Sequence, residues 1–305
     1  METTVLNVRD LKKAYGDFLA VDGVGFELRR GEIFGLLGPN GAGKTTTLEC
    51  LEGIRRPDSG RIDVLAIDPA RDGRKLRTLI GVQLQSSALP ASMRVDESMA
   101  FFSAYHGVAP RYDLLDRMGL GDKRSNQYRE LSVGQQRRLA LALALAHRPR
   151  IVFLDEPTAG LDVGSRTELH TVMTELKSEG TSIVLATHDM AEAEKMSDRV
   201  AILLKGKIVA TGTPRELTAT GSGYTKVSVR TEKSVLSPGR VEFPAVTRHS
   251  LNEDYATFFS TDPGPTVSAI LAYLNQQNDK LIDLRVERPS LEERFLEITH
   301  DGGSR

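Results

Sequence analysis

Cysteine occurs once in 305 residues, as Cys50, and tryptophan is missing altogether. A lone thiol excludes an intrachain disulfide and any cysteine-cluster metal centre, and it fits a reducing compartment. Nowhere does the chain carry the roughly 20 consecutive apolar residues that a membrane-crossing helix needs, and the opening METTVLNVRDLKK has no apolar run of leader-peptide length. The most apolar stretch, Leu139 to Ala146, is short, alanine-rich and flanked by Arg137, Arg138, His147 and Arg148, the pattern of a buried helix. Neither sign of charge is in excess: a formal net charge of −1 gives no global attraction for phosphate polymers, so no nucleic-acid partner is expected. Internal repeats and low-complexity tracts are also lacking, which excludes a repeat architecture.

What remains is an ordinary globular composition, long enough for one large domain and a smaller one. From Val5 to Glu32, short β-type runs broken by Gly16, Gly23, Gly25 and Gly31 predict an antiparallel sheet with tight turns. Ile33 to Leu37 is a compact apolar run, followed by a glycine-rich turn and helical spacing at Leu48, Leu51 and Ile54. Ile151 to Leu154 and Ile183 to Ala186 are further apolar runs suited to parallel strands covered on both faces. The helix between them would turn Leu169, Val172, Met173 and Leu176 inward. The segment from about Ser86 to Arg150 reads as a helical subdomain inserted in this α/β core, and Val200 to Ala210 as a closing hairpin turning at Gly206.

Gly221, Ser222 and Gly223 read as a linker that separates residues 1–220 from an accessory domain over 221–305. In that second domain, strands are expected at Tyr224 to Arg230, Arg240 to Val246, Asp254 to Ser260 and Leu281 to Val286, with a helix from Pro265 to Gln276. Ser290 and Glu293 form a capping-box pattern ahead of a last short helix, Leu291 to Ile298.

The chemistry concentrates in Gly38-Pro39-Asn40-Gly41-Ala42-Gly43-Lys44-Thr45-Thr46, a phosphate-binding loop pattern between a strand and a helix. Glycines at 38, 41 and 43 let successive backbone N–H groups turn toward phosphate oxygens, and the helix N-terminus adds a favourable partial charge. Lys44 would bridge the β- and γ-phosphates, Thr45 would offer a hydroxyl to Mg²⁺, and Thr46 would bond a phosphate oxygen. A second apolar strand ends in Asp155 and Glu156. The first is suited to hold Mg²⁺ through its water shell, the second to polarise an attacking water. Adjacent carboxylates at a strand end are by themselves an ordinary solvated turn; the phosphate loop is what gives them weight.

Leu131-Ser132-Val133-Gly134-Gln135, followed by a helix and then the acidic strand, resembles the signature sequence of the ABC transporter ATP-binding subunits, and the similarity covers roughly residues 1 to 220. The resemblance implies a P-loop ABC ATPase cassette of the α/β class, with a RecA-like core, an N-terminal antiparallel β layer and a helical signature subdomain, here carrying a small α/β C-terminal domain. It further implies Tyr15 as the adenine-stacking aromatic, Gln85 as the Q-loop glutamine and a Mg²⁺ ligand, Asp162 as the D-loop aspartate beside the nucleotide, and His188 as the γ-phosphate sensor. Tyr15 could instead be a strand aromatic packed on the sheet, though stacking is the favoured reading. Gln83 would share a strand face with Gln85 and competes for its role; the position of Gln85 before Ser86-Ser87 favours it.

Two such cassettes would face each other head to tail, ATP on Lys44 of one being closed over by Ser132, Gly134 and Gln135 of the other. Two departures stand out. Val133 replaces the familiar signature glycine and stiffens that loop. The ending PSLEERFLEIT resembles the tail of subunits that serve ABC-2-type exporters, including antibiotic and daunorubicin resistance systems. The expectation is a peripheral protein at the cytoplasmic face of the membrane, one of a pair of cassettes, hydrolysing ATP with Mg²⁺ to power export of a drug, antibiotic or lipid through a separate ABC-2-type permease. Its competitors are a soluble ABC-type ATPase of translation or DNA repair, and an import subunit.

Overall fold

The computed structural model describes residues 3–85, 89–219, 224–236, 242–252 and 254–301. The chain divides into two compact units, Met1–Pro214 and Arg215–Arg305. Ser86 and Ser87, the Gly221–Gly223 linker, and Arg240 and Val241 at the start of one expected strand lie outside the described residues.

The first unit opens with β1 (Thr4–Tyr15), β2 (Phe18–Arg29) and β3 (Ile33–Leu37), followed by helix α1 (Lys44–Leu51). Next come β4 (Ser59–Val64), α2 (Pro69–Arg77) and β5 (Ile80–Gln83), then α3 (Val95–Tyr105), α4 (Tyr112–Arg117) and α5 (Val133–Ala144). It closes with β6 (Ile151–Asp155), α6 (Val163–Ser178), β7 (Ser182–Thr187), α7 (Met190–Met196), β8 (Arg199–Leu204) and β9 (Lys207–Gly212).

Strands β1, β2 and β4 make a three-stranded antiparallel sheet in the order β2-β1-β4. The short runs expected over Val5 to Glu32 are in fact two 12-residue strands. Glycines 23 and 25 fall inside β2, where register skips at Gly23 absorb an extra residue without ending the pairing. The central sheet is six-stranded, in the order β5-β6-β7-β3-β8-β9, and is parallel except for the last strand, which pairs antiparallel to β8.

Alternation along its strands divides the unit into two cores. Phe34, Leu36, Ile151, Phe153, Val184 and Ala186 face α1 and the antiparallel sheet. Ile33, Val152, Leu154, Ile183 and Leu185 face α3 to α6. All are essentially removed from solvent, and at roughly 1.5–3 kcal/mol per fully buried large aliphatic or aromatic side chain they fix the strand ends on which the chemistry stands. The predicted inner stripe Leu169, Val172, Met173 and Leu176 is buried on α6. Ile54 lies beyond the end of α1 and is 55% exposed, so the apolar spacing expected for that helix overshoots by its last member.

The second unit contains α8 (Pro214–Ala219, which begins one residue before it), β10 (Thr225–Thr231), β11 (Val246–Asn252), β12 (Tyr255–Ser260), α9 (Pro263–Gln276), β13 (Leu281–Glu287) and α10 (Leu291–Asp301). Its antiparallel sheet has the order β11-β12-β10-β13, and Val227, Val229, Phe258, Ile270 and Leu274 form a core of its own. The strand expected at Arg240 to Val246 is displaced: residues 242 and 243 are irregular, 244 and 245 are turn, and β11 starts only at Val246. Its sequence VTRHSLN is largely polar because it forms the sheet edge, so it lacks the apolar alternation by which strands are recognised. The capping box ahead of α10 is formed: Glu293 N–H donates to Ser290 Oγ at 3.2 Å and Ser290 N–H to Glu293 Oε2 at 3.2 Å.

Candidate functional site

Residues 38–46 join β3 to α1. Gly43 caps the helix at φ +103°, and a Cβ there would stand 2.4 Å from the carbonyl oxygen of Ala20, so no other residue fits. Lys44 is 5% exposed. Its Nζ donates to the carbonyls of Gly38 at 2.7 Å and Pro39 at 3.2 Å, and lies 3.4 Å from Glu156 Oε1. Burial lowers the Lys44 pKa, an effect that the nearby Glu156 carboxylate opposes.

The end of β6 supplies the facing charge. Thr45 Oγ1 donates to Asp155 Oδ2 at 2.8 Å, whereas Asp155 Oδ1 is buried with no hydrogen-bond partner. Burial pushes the Asp155 carboxyl up, and the Thr45 hydrogen bond pulls it partly back. An orphaned carboxylate oxygen beside a threonine hydroxyl is the oxygen-donor chemistry that suits Mg²⁺. Among the described residues no group of three or more His, Cys, Asp or Glu could hold a metal, so the cation would depend on phosphate and water for its remaining ligands.

Glu156 is 6% exposed and sits at φ +48°, a left-handed conformation that costs a side-chain-bearing residue on the order of 1–3 kcal/mol. Its N–H donates to the carbonyl of Ala186 at 2.8 Å, and its Oε1 lies 2.9 Å from His188 Nδ1. Burial drives the Glu156 carboxyl up, but the His188 hydrogen bond and the Lys44 charge together outweigh it, and the net shift is downward. A carboxylate kept ionised at the mouth of a phosphate loop can accept a proton from water.

Tyr15, Phe18, Asn40, Gly41, Gly43 and Lys44 line one cavity of about 280 Å³ together with Thr45, Thr46, Gln85 and Glu156. Tyr15 is 41% exposed, with the Arg55 guanidinium 5.0 Å from its ring centroid, so it is an aromatic at the cavity rim rather than a packed strand residue. β5 ends at Gln83, and the expected shared strand face of Gln83 and Gln85 is not formed. Gln83 is 1% exposed with both polar atoms unpartnered, while Gln85 lies beyond the strand, exposed, at the cavity.

Ser132, Gly134, Gln135 and Asp162 do not line that cavity. Exposed Ser132 caps α5, taking a hydrogen bond from Gln135 N–H at 3.2 Å while its own N–H donates to Gln135 Oε1 at 2.9 Å. Asp162 caps α6 through Ser165, and Ser165 packs against Gly134, which gathers the two loops into one patch. Val133 is 57% exposed there.

Sequence reasoning missed several tethers. Arg137 of α5 donates to the carbonyl of Gln85. Arg166 Nη1 bonds Asp189 Oδ2 at 2.9 Å, beside His188. Buried Glu192 takes hydrogen bonds from Thr158 at 2.8 Å and His170 at 3.1 Å, tying the segment after Glu156 to α7. Phe18, which opens β2 just after the first hairpin's turn, was also missed as a lining residue of the cavity, and its aromatic side chain beside Tyr15 left a readable sign.

A parallel sheet with a phosphate loop, a threonine–aspartate pair, a poised glutamate and a separate capped serine helix defines a nucleoside-triphosphate-binding cassette. The ABC transporter family matches residues 21–159. Daunorubicin resistance ATP-binding protein DrrA3 of Streptomyces coeruleorubidus is 34% identical over 309 residues, covering 99% of this chain and 98% of that protein. Nod factor export ATP-binding protein I of Burkholderia orbicola is 33% identical, covering 98% of each. Among solved structures, cbiO1 of Clostridium perfringens, part of the ABC transporter complex cbiONQ, is 35% identical with a TM-score of 0.63, over 72% of this chain and 92% of that one. The chain belongs to the ABC transporter family and is an ATP-binding subunit related to exporter ATPases. Among its described residues no helix is long and apolar enough to cross a membrane, and such subunits work with a membrane permease.

Proposed function

We propose that this chain hydrolyses ATP and thereby powers export of a drug, antibiotic or lipid through a separate permease of the ABC-2 type, at the cytoplasmic face of the membrane. The observation that carries the reading is the Glu156 carboxylate, drawn by His188 and Lys44 to the mouth of the phosphate loop.

In the proposed cycle, Lys44 leaves the Gly38 and Pro39 carbonyls to meet the β- and γ-phosphates, the residue 38–46 backbone cradles them with Thr46, and Tyr15 stacks on the adenine. Thr45, Asp155 and Gln85 would hold Mg²⁺, which would supply neutralisation of the phosphate charge. Glu156 takes the proton of the attacking water while His188 steadies its carboxylate and senses the γ-phosphate.

Ser132, which is exposed, stands with Gly134 and Gln135 at the N-terminus of α5, away from Lys44's cavity, and Asp162 shares their patch. This separation supports completion of the site by a second, identical cassette turned head to tail. ATP presents the γ-phosphate that this clamp grips and ADP does not, so binding favours closure and hydrolysis favours release.

An open groove of about 540 Å³ beside Gln85, with Leu84, Leu89, Phe102, Tyr105 and Leu143 in its walls, suits an apolar segment of the permease. The accessory domain, assigned to residues 221–305, has its own core, in keeping with a separate role.

Co-expression with a candidate ABC-2-type permease tests the reading. The expected result is permease-dependent phosphate release and a dimer formed with ATP but not with ADP. A chain that, with magnesium and its permease, neither binds nor cleaves ATP would overturn it.

A further inference from the structure

A second cavity, of about 430 Å³, opens at the opposite end of the central sheet and is lined by Arg30, Arg111, Arg117, Arg148 and Arg150. Arg150 immediately precedes β6, whose far end carries Asp155 and Glu156, so ~17 Å of strand separates this cavity from the phosphate loop's carboxylates.

Charge is the unusual feature. Arg111 is paired with Asp113 at 2.6 Å, and Arg117 with Glu175 at 2.8 Å and Glu179 at 3.0 Å. Arg30, Arg148 and Arg150 carry no ion pair within 4.0 Å among the described residues, and all three side chains are exposed. Among the described residues, five guanidinium groups against three paired carboxylates leave two positive charges uncompensated, on a chain whose formal net charge is −1. Val5, Leu114, Leu145 and Leu176 complete the wall, beside the Glu179 carboxylate already paired with Arg117.

We propose that this cavity binds a phosphorylated anion, with Arg30, Arg148 and Arg150 as its ligands. A phosphate monoester carries close to two negative charges at neutral pH, which matches the uncompensated charge, and the planar guanidinium fork matches its oxygens. A carboxylate would neutralise only half of it. The ligand is either a free phosphorylated metabolite or the monoester headgroup of a phosphatidic-acid membrane.

Inorganic phosphate, titrated calorimetrically into the full chain, is the first probe. Lys44→Ala weakens the phosphate loop and leaves the arginine cavity intact, so in that background the remaining phosphate isotherm reports the cavity. Adding Arg148→Gln and Arg150→Gln is expected to weaken this binding about tenfold or more. Arg30→Gln, made alone, gives an independent check, and circular dichroism verifies that each variant is folded. Flotation with phosphatidylcholine vesicles, with and without phosphatidic acid, is the second probe. Phosphate binding that depends on the arginines identifies a soluble ligand. Arginine-dependent flotation on phosphatidic acid without phosphate binding identifies the headgroup. The proposal is overturned if neither probe binds, or if binding is indifferent to all three arginines; loss of ATP binding by Lys44→Ala bears only on the phosphate loop.

Discussion

His188 Nδ1 lies 2.9 Å from Glu156 Oε1, the same carboxylate oxygen that Lys44 Nζ approaches to 3.4 Å. One oxygen therefore reports on a loop from each side: the phosphate loop through Lys44, and the end of β7 through His188. In the proposed cycle Lys44 would turn toward nucleotide, which would leave His188 as the partner that holds Glu156.

Glu156→Gln keeps the shape and the His188 contact but cannot accept a proton. The expected outcome is ATP affinity within a few-fold of wild type and turnover reduced by about 10²–10⁴. Nucleotide binding and phosphate release, measured on the same preparation, separate the two. Wild-type turnover by this variant would remove Glu156 from the proposed chemistry.

The histidine makes a distinct prediction about pH. Because the hydrogen bond from His188 helps to hold the Glu156 carboxyl below its ordinary range, His188→Ala lets that pKa rise. A base must be ionised to act, so the acid limb of the pH–rate profile should move to higher pH, in addition to any fall in the maximum. An acid limb that stays where it is in the wild type would argue against this coupling.

The patch that joins the two capped helices can be tested by size. A Cβ on Gly134 would meet Ser165 Oγ at 2.7 Å and Ser165 Cβ at 3.1 Å. Gly134→Ala should therefore cost about 1–3 kcal/mol through overpacking. Ser165→Ala in the same chain removes the closer of the two contacts, and recovery of part of the lost melting temperature is expected. No recovery in the double variant would show that the strain lies elsewhere.

These cases mark what the sequence makes readable. The phosphate loop is legible because its glycines, lysine and threonines are contiguous and backbone conformation dictates them. Asp155 and Glu156 are legible because a five-residue apolar strand delivers them. The link from Arg137 to the Gln85 carbonyl spans 52 residues and ends on a backbone atom, which has no residue type to recognise. Strand β11 escapes for a different reason, since an edge strand gains from polar side chains and so hides its period. Gln83 and Gln85 look equivalent in IGVQLQ until β5 ends between them and sends one inward and the other to the cavity.

Glu52 could not have been singled out from its sequence, and it carries the clearest prediction for stability. It follows α1, is 3% exposed, and burial, aided by the nearby Asp155 and Glu49 charges, pushes its carboxyl from 4.5 up to about 8. Below pH 4.5 the folded and unfolded chains both hold the proton and Glu52 imposes no penalty. As pH rises from there, the unfolded chain releases a proton that the folded chain keeps, so stability falls until about pH 8 and then levels off. That decline is at most about 5 kcal/mol, and relaxation around the group reduces it. Glu52→Gln has no proton to keep or release. Urea unfolding of both proteins at pH 5 and pH 8 should show the smaller loss in the variant, and the difference between them isolates Glu52 from every other titrating group. Parallel losses would mean that the carboxyl titrates alike in the folded and unfolded chains, and that Asp155 has an ionised neighbour beneath the phosphate loop.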